Sequence, residues 1–222
     1  MRVLAIDTST MISTVSICED SKIIGDFNVN QEKTHSESLV PMIETLLKLL
    51  GLKLSDIDIF AISQGPGSFT GLRIGMTIAK TFAQVDNKKL IPVSTLKALA
   101  LNSSSNTAKA AMLDARGKRV YGAMYDENMK EIVKEDLYNI DEFSKLCNEK
   151  NIDFDLVSEV SEKYEDKFDR ARILDFSYRS CIGKNLCKLA LEKKDEDFDL
   201  YKLVPNYLRK SQAERDREKK ND

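Results

Sequence analysis

The residues best placed to do chemistry lie between positions 61 and 76, Ala-Ile-Ser-Gln-Gly-Pro-Gly-Ser-Phe-Thr-Gly-Leu-Arg-Ile-Gly-Met, which hold four of the chain's nine glycines. A glycine turn between an apolar run and a helical pattern is where backbone amides can cradle a phosphate or a serine can be lifted as a nucleophile. Three motifs of that kind fail here. A P-loop needs Lys after its last glycine, but Gly71 is followed by Leu72. A dinucleotide fingerprint needs glycine at the sixth position, where Thr70 stands, and a nucleophile elbow needs Gly-x-Ser, whereas Ser68 follows Gly67 directly. Gly65, Pro66, Gly67 and Phe69 are therefore expected to form a structural loop, with Gly67 at positive φ and Phe69 anchoring the turn in the core.

The remaining candidates are few. His35 is the single histidine and there is no tryptophan, which excludes a histidine-rich metal site or a His-Asp triad elsewhere. His35 adjoins a capping pattern and reads as a structural or surface residue. Cys18, Cys147, Cys181 and Cys187 lack Cys-x-x-Cys or zinc-ribbon spacing and read as packed, reduced thiols. Asp7 ends the first apolar run in Asp7-Thr8-Ser9-Thr10, and Asp114 opens Asp114-Ala115-Arg116-Gly117-Lys118-Arg119. A formal net charge of −2 supplies no global field for nucleic acid. No signal-peptide pattern opens the chain and no apolar stretch approaches the ~20 residues of a membrane span, so a cytoplasmic protein is expected.

Val3–Ile6, Val15–Cys18 and Ile23–Val29 read as a three-strand meander. Thr34 and Glu37 are spaced as a capping box for a helix reaching about Leu50, with Pro41 predicted to kink it or delay its start. A strand at Ile57–Ile62, a helix at Leu72–Ala83, a strand at Leu90–Val93 and a helix at Ser94–Leu101 follow. Asn102-Ser103-Ser104-Ser105-Asn106-Thr107 has linker composition. Three more strands then begin: Ala110–Leu113, Arg119–Tyr125 and Glu131–Val133. Mixed segments follow through Asp141–Cys147, Phe154–Val157 and Tyr178–Glu192. Two halves that each open with three strands suggest a duplicated α/β plan with boundaries 1–102 and 103–208. Residues 209–222, with mixed charges and almost no apolar residue, read as a solvated tail.

With Val3-Leu4-Ala5-Ile6-Asp7-Thr8-Ser9, His35-Ser36-Glu37, Asp114-Ala115-Arg116 and Tyr207-Leu208-Arg209-Lys210-Ser211-Gln212, the glycine segment resembles the TsaB (YeaZ-type) family. That family supplies a subunit of the bacterial machinery making threonylcarbamoyl-adenosine in tRNA. The resemblance implies a two-lobed actin-like ATPase fold, each lobe a mixed sheet flanked by helices. Enzymes of that fold need glycine-rich phosphate loops and a late glycine-rich adenosine loop, but Gly183 is the only glycine after Gly122. Asp7 and Asp114 then mark a vestigial cleft. The catalytic TsaD-type paralogue carries a His-x-x-x-His metal pair where this chain, read in frame, has Thr95 and Leu99. Neither side chain replaces an imidazole on a transition metal. The expectation is a non-catalytic subunit with no metal and no cofactor.

Function would then lie in a surface. At ~100° per residue, apolar and glycine positions cover about 200° of the Leu72–Ala83 helix, against the roughly 100° that one sheet needs. About half of the first helix is apolar too. These helices are either buried within their lobe or present an outer flank to another chain, and the resemblance favours the second. Gly71, Ile74, Gly75 and Ile78, with Leu46 and Leu50 on the first helix, are the interface candidates. The implied partners are the TsaD-type paralogue and a TsaE-type ATPase, with a homodimer when alone and tRNA reached only through the complex. The alternative is a self-sufficient ATP-dependent transferase or hydrolase using Asp7 and Asp114.

Overall fold

The structure is a computed structural model that describes residues 1–30 and 35–208. Thr34 of the capping box and the charged segment 209–222 lie outside the described residues.

The first half runs β1 (Arg2–Asp7), β2 (Ile12–Glu19), β3 (Lys22–Asn30), α1 (His35–Leu49), β4 (Ile59–Gly65), α2 (Phe69–Val85), β5 (Lys89–Ser94) and α3 (Thr95–Ala100). The second runs β6 (Ala108–Asp114), β7 (Arg119–Tyr125), β8 (Glu131–Asn139), α4 (Ile140–Asn148), β9 (Phe154–Val157), β10 (Ala171–Ile173) and α5 (Gly183–Glu192). Sheet orders are β3-β2-β1-β4-β5 and β10-β9-β6-β7-β8. Strand for strand, these are the same order. In each, an antiparallel meander is extended by two parallel strands. The duplicated plan is therefore present, with one asymmetry. The counterpart of α2 in the second half is a six-residue 3₁₀ helix at Glu162–Lys167.

Alternation along the strands builds the layers. Val3 and Ala5 of β1 join a core shared with Ala111 and Leu113 of β6, while Leu4 and Ile6 face α1 and α2. Ala110 and Met112 of β6 face α4 and Phe143. The last helix of each half packs across the divide: α3 contacts β6 and β7, and α5 contacts β1 and β2. The order is thus α1 and α2, first sheet, α3 and α5, second sheet, α4. Both faces of the central strands are covered, which is why β1, β4 and β6 read as nearly continuous apolar runs.

Several local expectations shift. Helix α2 starts at Phe69 because Ser68 caps it, its hydroxyl accepting from Gly71 N–H at 3.2 Å. Helix α1 passes through Pro41 and is already helical at His35, so Pro41 does not delay its start. Strand β8 runs on to Asn139, and the three-residue β10 carries no apolar pattern to announce it. The 102–107 stretch joins the two sheets but is tied down. Asn102 donates to Ser180 O at 2.8 Å, and Ser103 and Ser105 donate to buried Asp155. Arg172 completes that cluster with a bidentate pair to Asp155 at 2.6 and 2.8 Å. Among the described residues no helix is long and apolar enough to cross a membrane.

Candidate functional site

The carboxyl ends of β1, β4, β6 and β9 meet where the two lobes face one another, and the candidate acids lie there. Asp7 is 3% exposed, and its Oδ1 accepts from Ser9 N–H at 2.9 Å and from the Ser63 hydroxyl. Asp114, its counterpart on β6, is exposed and accepts from Arg116 N–H at 2.9 Å. The two loops thus repeat one Asp-to-i+2 turn. Burial pushes the Asp7 carboxyl above its ordinary range, against the pull of the Ser63 and Ser9 bonds. Glu159, after β9, is raised by partial burial and then by Asp7. Sequence reasoning missed Glu159; its only signal was an acid after an apolar strand.

Asp7 and Asp114 do not share one space, while Glu159 borders the space of each. An open cleft of ≈ 760 Å³ is lined by Thr10, Met11, Ser68, Asp114, Arg116 and Asn206 among others, and Asp7 is not among its lining residues. Asp7 instead borders a small inner cavity with Ser9, Thr95, Leu99 and Glu159. The actin-like fold implies a nucleotide in the cleft, and the residues do not fit one. The amides that a phosphate loop would offer, Ser9 N–H and Arg116 N–H, are each spent on their own Asp. The β9 end supplies Ser158-Glu159-Val160 where an adenosine loop would need glycines. No group of three or more His, Cys, Asp or Glu side chains able to hold a metal gathers among the described residues.

The glycine segment packs the lobe together. A methyl on Gly67 would overlap Ser9, and one on Gly71 or Gly75 would overlap Thr8. The Thr8 hydroxyl donates to Gly71 O at 2.7 Å and Ser68 N–H to Ser9 O at 2.6 Å. Positive φ belongs to Gly65 (+118°), before the cis Gly65-Pro66 bond, and not to Gly67 as expected from sequence. His35 braces the same turn: its Nε2 donates to Thr10 O at 2.9 Å, so Nδ1 accepts from the Ser13 hydroxyl at 2.7 Å.

Phe69 is not in the core. It stacks on Tyr207 at 4.4 Å between ring centres, under the Arg73 guanidinium at 4.0 Å. The segment 198–208 that carries Tyr207 crosses the open end of the first lobe as a strap. Asn206 N–H donates to Gln64 O at 2.7 Å, Gln64 Nε2 to Val204 O at 2.9 Å and Lys80 Nζ to Leu203 O at 2.9 Å. Asn206 Nδ2 also reaches Glu135 Oε1 of the second lobe at 3.3 Å. Burial raises the Glu135 carboxyl, against its bond from Ser94.

The helical candidates separate into two sets. Gly71 and Gly75 are buried against Thr8, and Leu46 is 6% exposed in the core beside Gly25. Their small or apolar character serves the lobe itself. Ile74, Ile78 and Leu50 are half-buried, next to exposed Thr77 and Thr81, with Leu49 77% and Val85 74% exposed nearby in sequence.

The family model described as TsaD, tRNA N6-adenosine threonylcarbamoyltransferase, matches residues 22–181. The "tRNA threonylcarbamoyladenosine biosynthesis protein TsaB" of Escherichia coli is 38% identical over 133 residues, 58% of this chain and 57% of that protein. Its Bacillus subtilis namesake is 26% identical over 223 residues, 96% of each. The chain thus spans just over half the length of the first relative and nearly all of the second. The structure of YeaZ from Pseudomonas aeruginosa superposes with a TM-score of 0.81 at 25% identity, covering 93% of this chain and 99% of that one. An ethanolamine utilization protein, EutJ, at TM-score 0.54 and 10% identity, shares the fold alone. With two like-ordered mixed sheets flanked by helices, the architecture is the actin-like ATPase fold, and the chain belongs to the TsaB/YeaZ-type family, built on a TsaD-like domain.

Proposed function

We propose that this chain is a non-catalytic subunit in the biosynthesis of threonylcarbamoyl-adenosine in tRNA, acting through a TsaD-type catalytic partner. The observation that carries this reading is the state of the two loops at the cleft. Asp7 is enclosed, and the loop amides that would bind phosphate are bonded to Asp7 and Asp114. A subunit with no chemistry of its own acts by holding a partner. The outer face of the first lobe, with half-buried Ile74, Ile78 and Leu50 beside exposed Leu49 and Val85, is the contact we assign to it. Among the described residues only this lobe keeps a pair of long helices; the second has a short 3₁₀ helix in place of α2. Such a pair suits a pseudo-symmetric contact with a related chain, or with a second copy when no partner is present. On this reading a TsaE-type ATPase joins the assembly, tRNA is reached through the complex, and the protein works in the cytoplasm.

The test is reconstitution. Threonylcarbamoyl transfer to tRNA by the TsaD-type partner should require this chain, and the chain alone should neither turn over ATP nor modify tRNA. ATP binding by the isolated chain at micromolar affinity, abolished by Asp7→Ala, would refute the proposal and favour a self-sufficient ATP-dependent transferase or hydrolase.

A further inference from the structure

Helix α5 sits directly on β2, and the two meet at a pair of cysteines. A methyl on Gly183 would overlap Ser16 and Thr14, so the first turn of α5 has no space between it and the strand. Four residues of helix rise ~6 Å and two residues of strand advance ~6.6 Å. One turn after Gly183, the helix therefore meets the strand two residues after Ser16, and those positions hold Cys187 and Cys18. Cys187 Sγ lies 3.7 Å from Ser16 O and 3.9 Å from Val3 O, and Val3 is the register partner of Cys18 on β1. The two thiols are in hydrogen-bond contact, each 1% exposed, in the core between the two sheets. Both are free, and they differ in setting from the other two cysteines. Cys147 is buried against α4 and the second sheet, and Cys181 is partly exposed.

We propose that Cys18 and Cys187 are a redox-active pair, which hydrogen peroxide converts to an intramolecular disulfide joining α5 to the first sheet. The bond from Cys187 lowers the Cys18 thiol despite its burial, while the same contact and burial raise Cys187. Cys18 therefore supplies the attacking thiolate. It takes one oxygen of the peroxide as a sulfenic acid and the other leaves as water. The Cys187 sulfur then attacks the Cys18 sulfur, and the sulfenic oxygen leaves as a second water. Two thiols and one peroxide thus give one disulfide and two waters, the sulfurs being oxidised and the peroxide oxygens reduced. No side chain caps α5 at Ile182, and opening of its first turn is the route by which a small oxidant enters. Helix α5 comes from the second half of the chain yet rests on β1 and β2, so the bond locks the two halves together. Closing so long a loop stabilises the fold by constraining the unfolded chain. In a reducing compartment the pair rests as thiols, and the disulfide is a transient, redox-sensing one.

The test treats the full, reduced chain with hydrogen peroxide, removes the excess with catalase, and alkylates the remaining thiols after denaturation. Intact mass should show two alkylated cysteines instead of the four of the untreated chain. Peptide mapping should place one disulfide between Cys18 and Cys187 within a monomer. The melting temperature should rise by roughly 5–15 °C and fall back on addition of dithiothreitol. Cys181→Ser should leave both the bond and the rise intact. Cys187→Ser should abolish both and leave a sulfenic acid on Cys18 that dimedone traps. Four thiols still free after treatment would overturn the proposal, and so would a disulfide that maps to Cys181 or Cys147. A Cys18–Cys187 bond that lowers the melting temperature would overturn it too, because the bond would then form only by disrupting the seat of α5. Mapping on the parent chain decides the matter even where Cys187→Ser fails to fold.

Discussion

Gly65→Ala tests whether the strap belongs to the folded unit, because the substitution strikes the strap's seat at one atom. Gly65 lies at φ +118°, and an added Cβ would sit 2.8 Å from Asn206 O, a backbone atom. Ordinary contact begins at 3.4 Å, so the strap must retreat or β4 must bend. The backbone conformation alone costs about 1–3 kcal/mol for an L side chain. Retreat of Asn206 also stretches its 2.7 Å bond to Gln64 O and loosens the neighbouring Gln64-to-Val204 bond. Each such bond contributes about 0.5–1.5 kcal/mol. The smaller conformational entropy of the unfolded chain with alanine offsets about 0.4–1 kcal/mol of this loss. The net expectation is a loss of ~2–4 kcal/mol, or roughly 5–15 °C in melting temperature for a chain of this size. Gly117→Ala is the control: φ is +65° there but nothing lies within 4 Å of the new Cβ. It should cost only about 1–2 kcal/mol. Circular dichroism gives the melting temperatures, and hydrogen exchange over residues 203–207 reports the strap. Equal losses in the two variants, with strap amides protected as in the parent, would refute the idea that the strap seats on Gly65.

Ile78→Glu should leave a folded protein that no longer associates with itself or supports its TsaD-type partner, since the charge must be desolvated only on association, at several kcal/mol. Leu46→Glu, at a core position, should instead fail to fold; sedimentation and thermal melting of the pair distinguish surface from core. Arg172→Ala leaves Asp155 buried without its bidentate partner and should lower the melting temperature at neutral pH, by less than loss of a fully buried pair because Arg172 is 65% exposed. Burial alone would raise the Asp155 carboxyl, but the bonds from Arg172, Ser103 and Ser105 outweigh it and hold it below 3.8. A depressed carboxyl stabilises the fold above its unfolded value and loses that contribution as pH falls through the folded one. The gap between parent and Arg172→Ala should therefore close as melting is measured toward and below pH 3.8; a gap independent of pH would show that the pair is not its source. Tyr207→Ala removes the Phe69 stack and the 2.9 Å bond from Arg73 Nε, and should lower stability by about 1–2 kcal/mol. Exchange should rise in residues 203–207; unchanged exchange there would show that the stack does not hold the strap.

What could be read from the sequence depended on how far apart the cooperating residues lie. The three-strand openings of both halves are local alternations, and Arg119–Tyr125 and Phe154–Val157 form with the bounds their patterns suggest. The crossing of α3 and α5 onto each other's sheets has no local signal, because either helix would show the same apolar stripe against its own sheet. The strap was hidden for a stronger reason: Gln64 and Val204 are 140 residues apart, and their bond uses a backbone carbonyl, which any residue supplies. Phe69 was misplaced by the same blindness, since an aromatic beside glycines reads as a core anchor unless Tyr207 is known to arrive. Excess apolar character on α2 was legible, but its cause was not single. Gly71 and Gly75 are small because Thr8 lies against them, and Leu72, Met76, Ala79 and Ala83 are buried within the chain. Those demands account for most of the wide arc, leaving Ile74, Ile78 and Phe82 as its half-buried remainder. A helix that must satisfy a turn and a sheet at once will look over-apolar whether or not a partner exists. The width of the arc is therefore weak support for an interface. The stronger support is that Ile74 and Ile78 remain half-buried among the described residues.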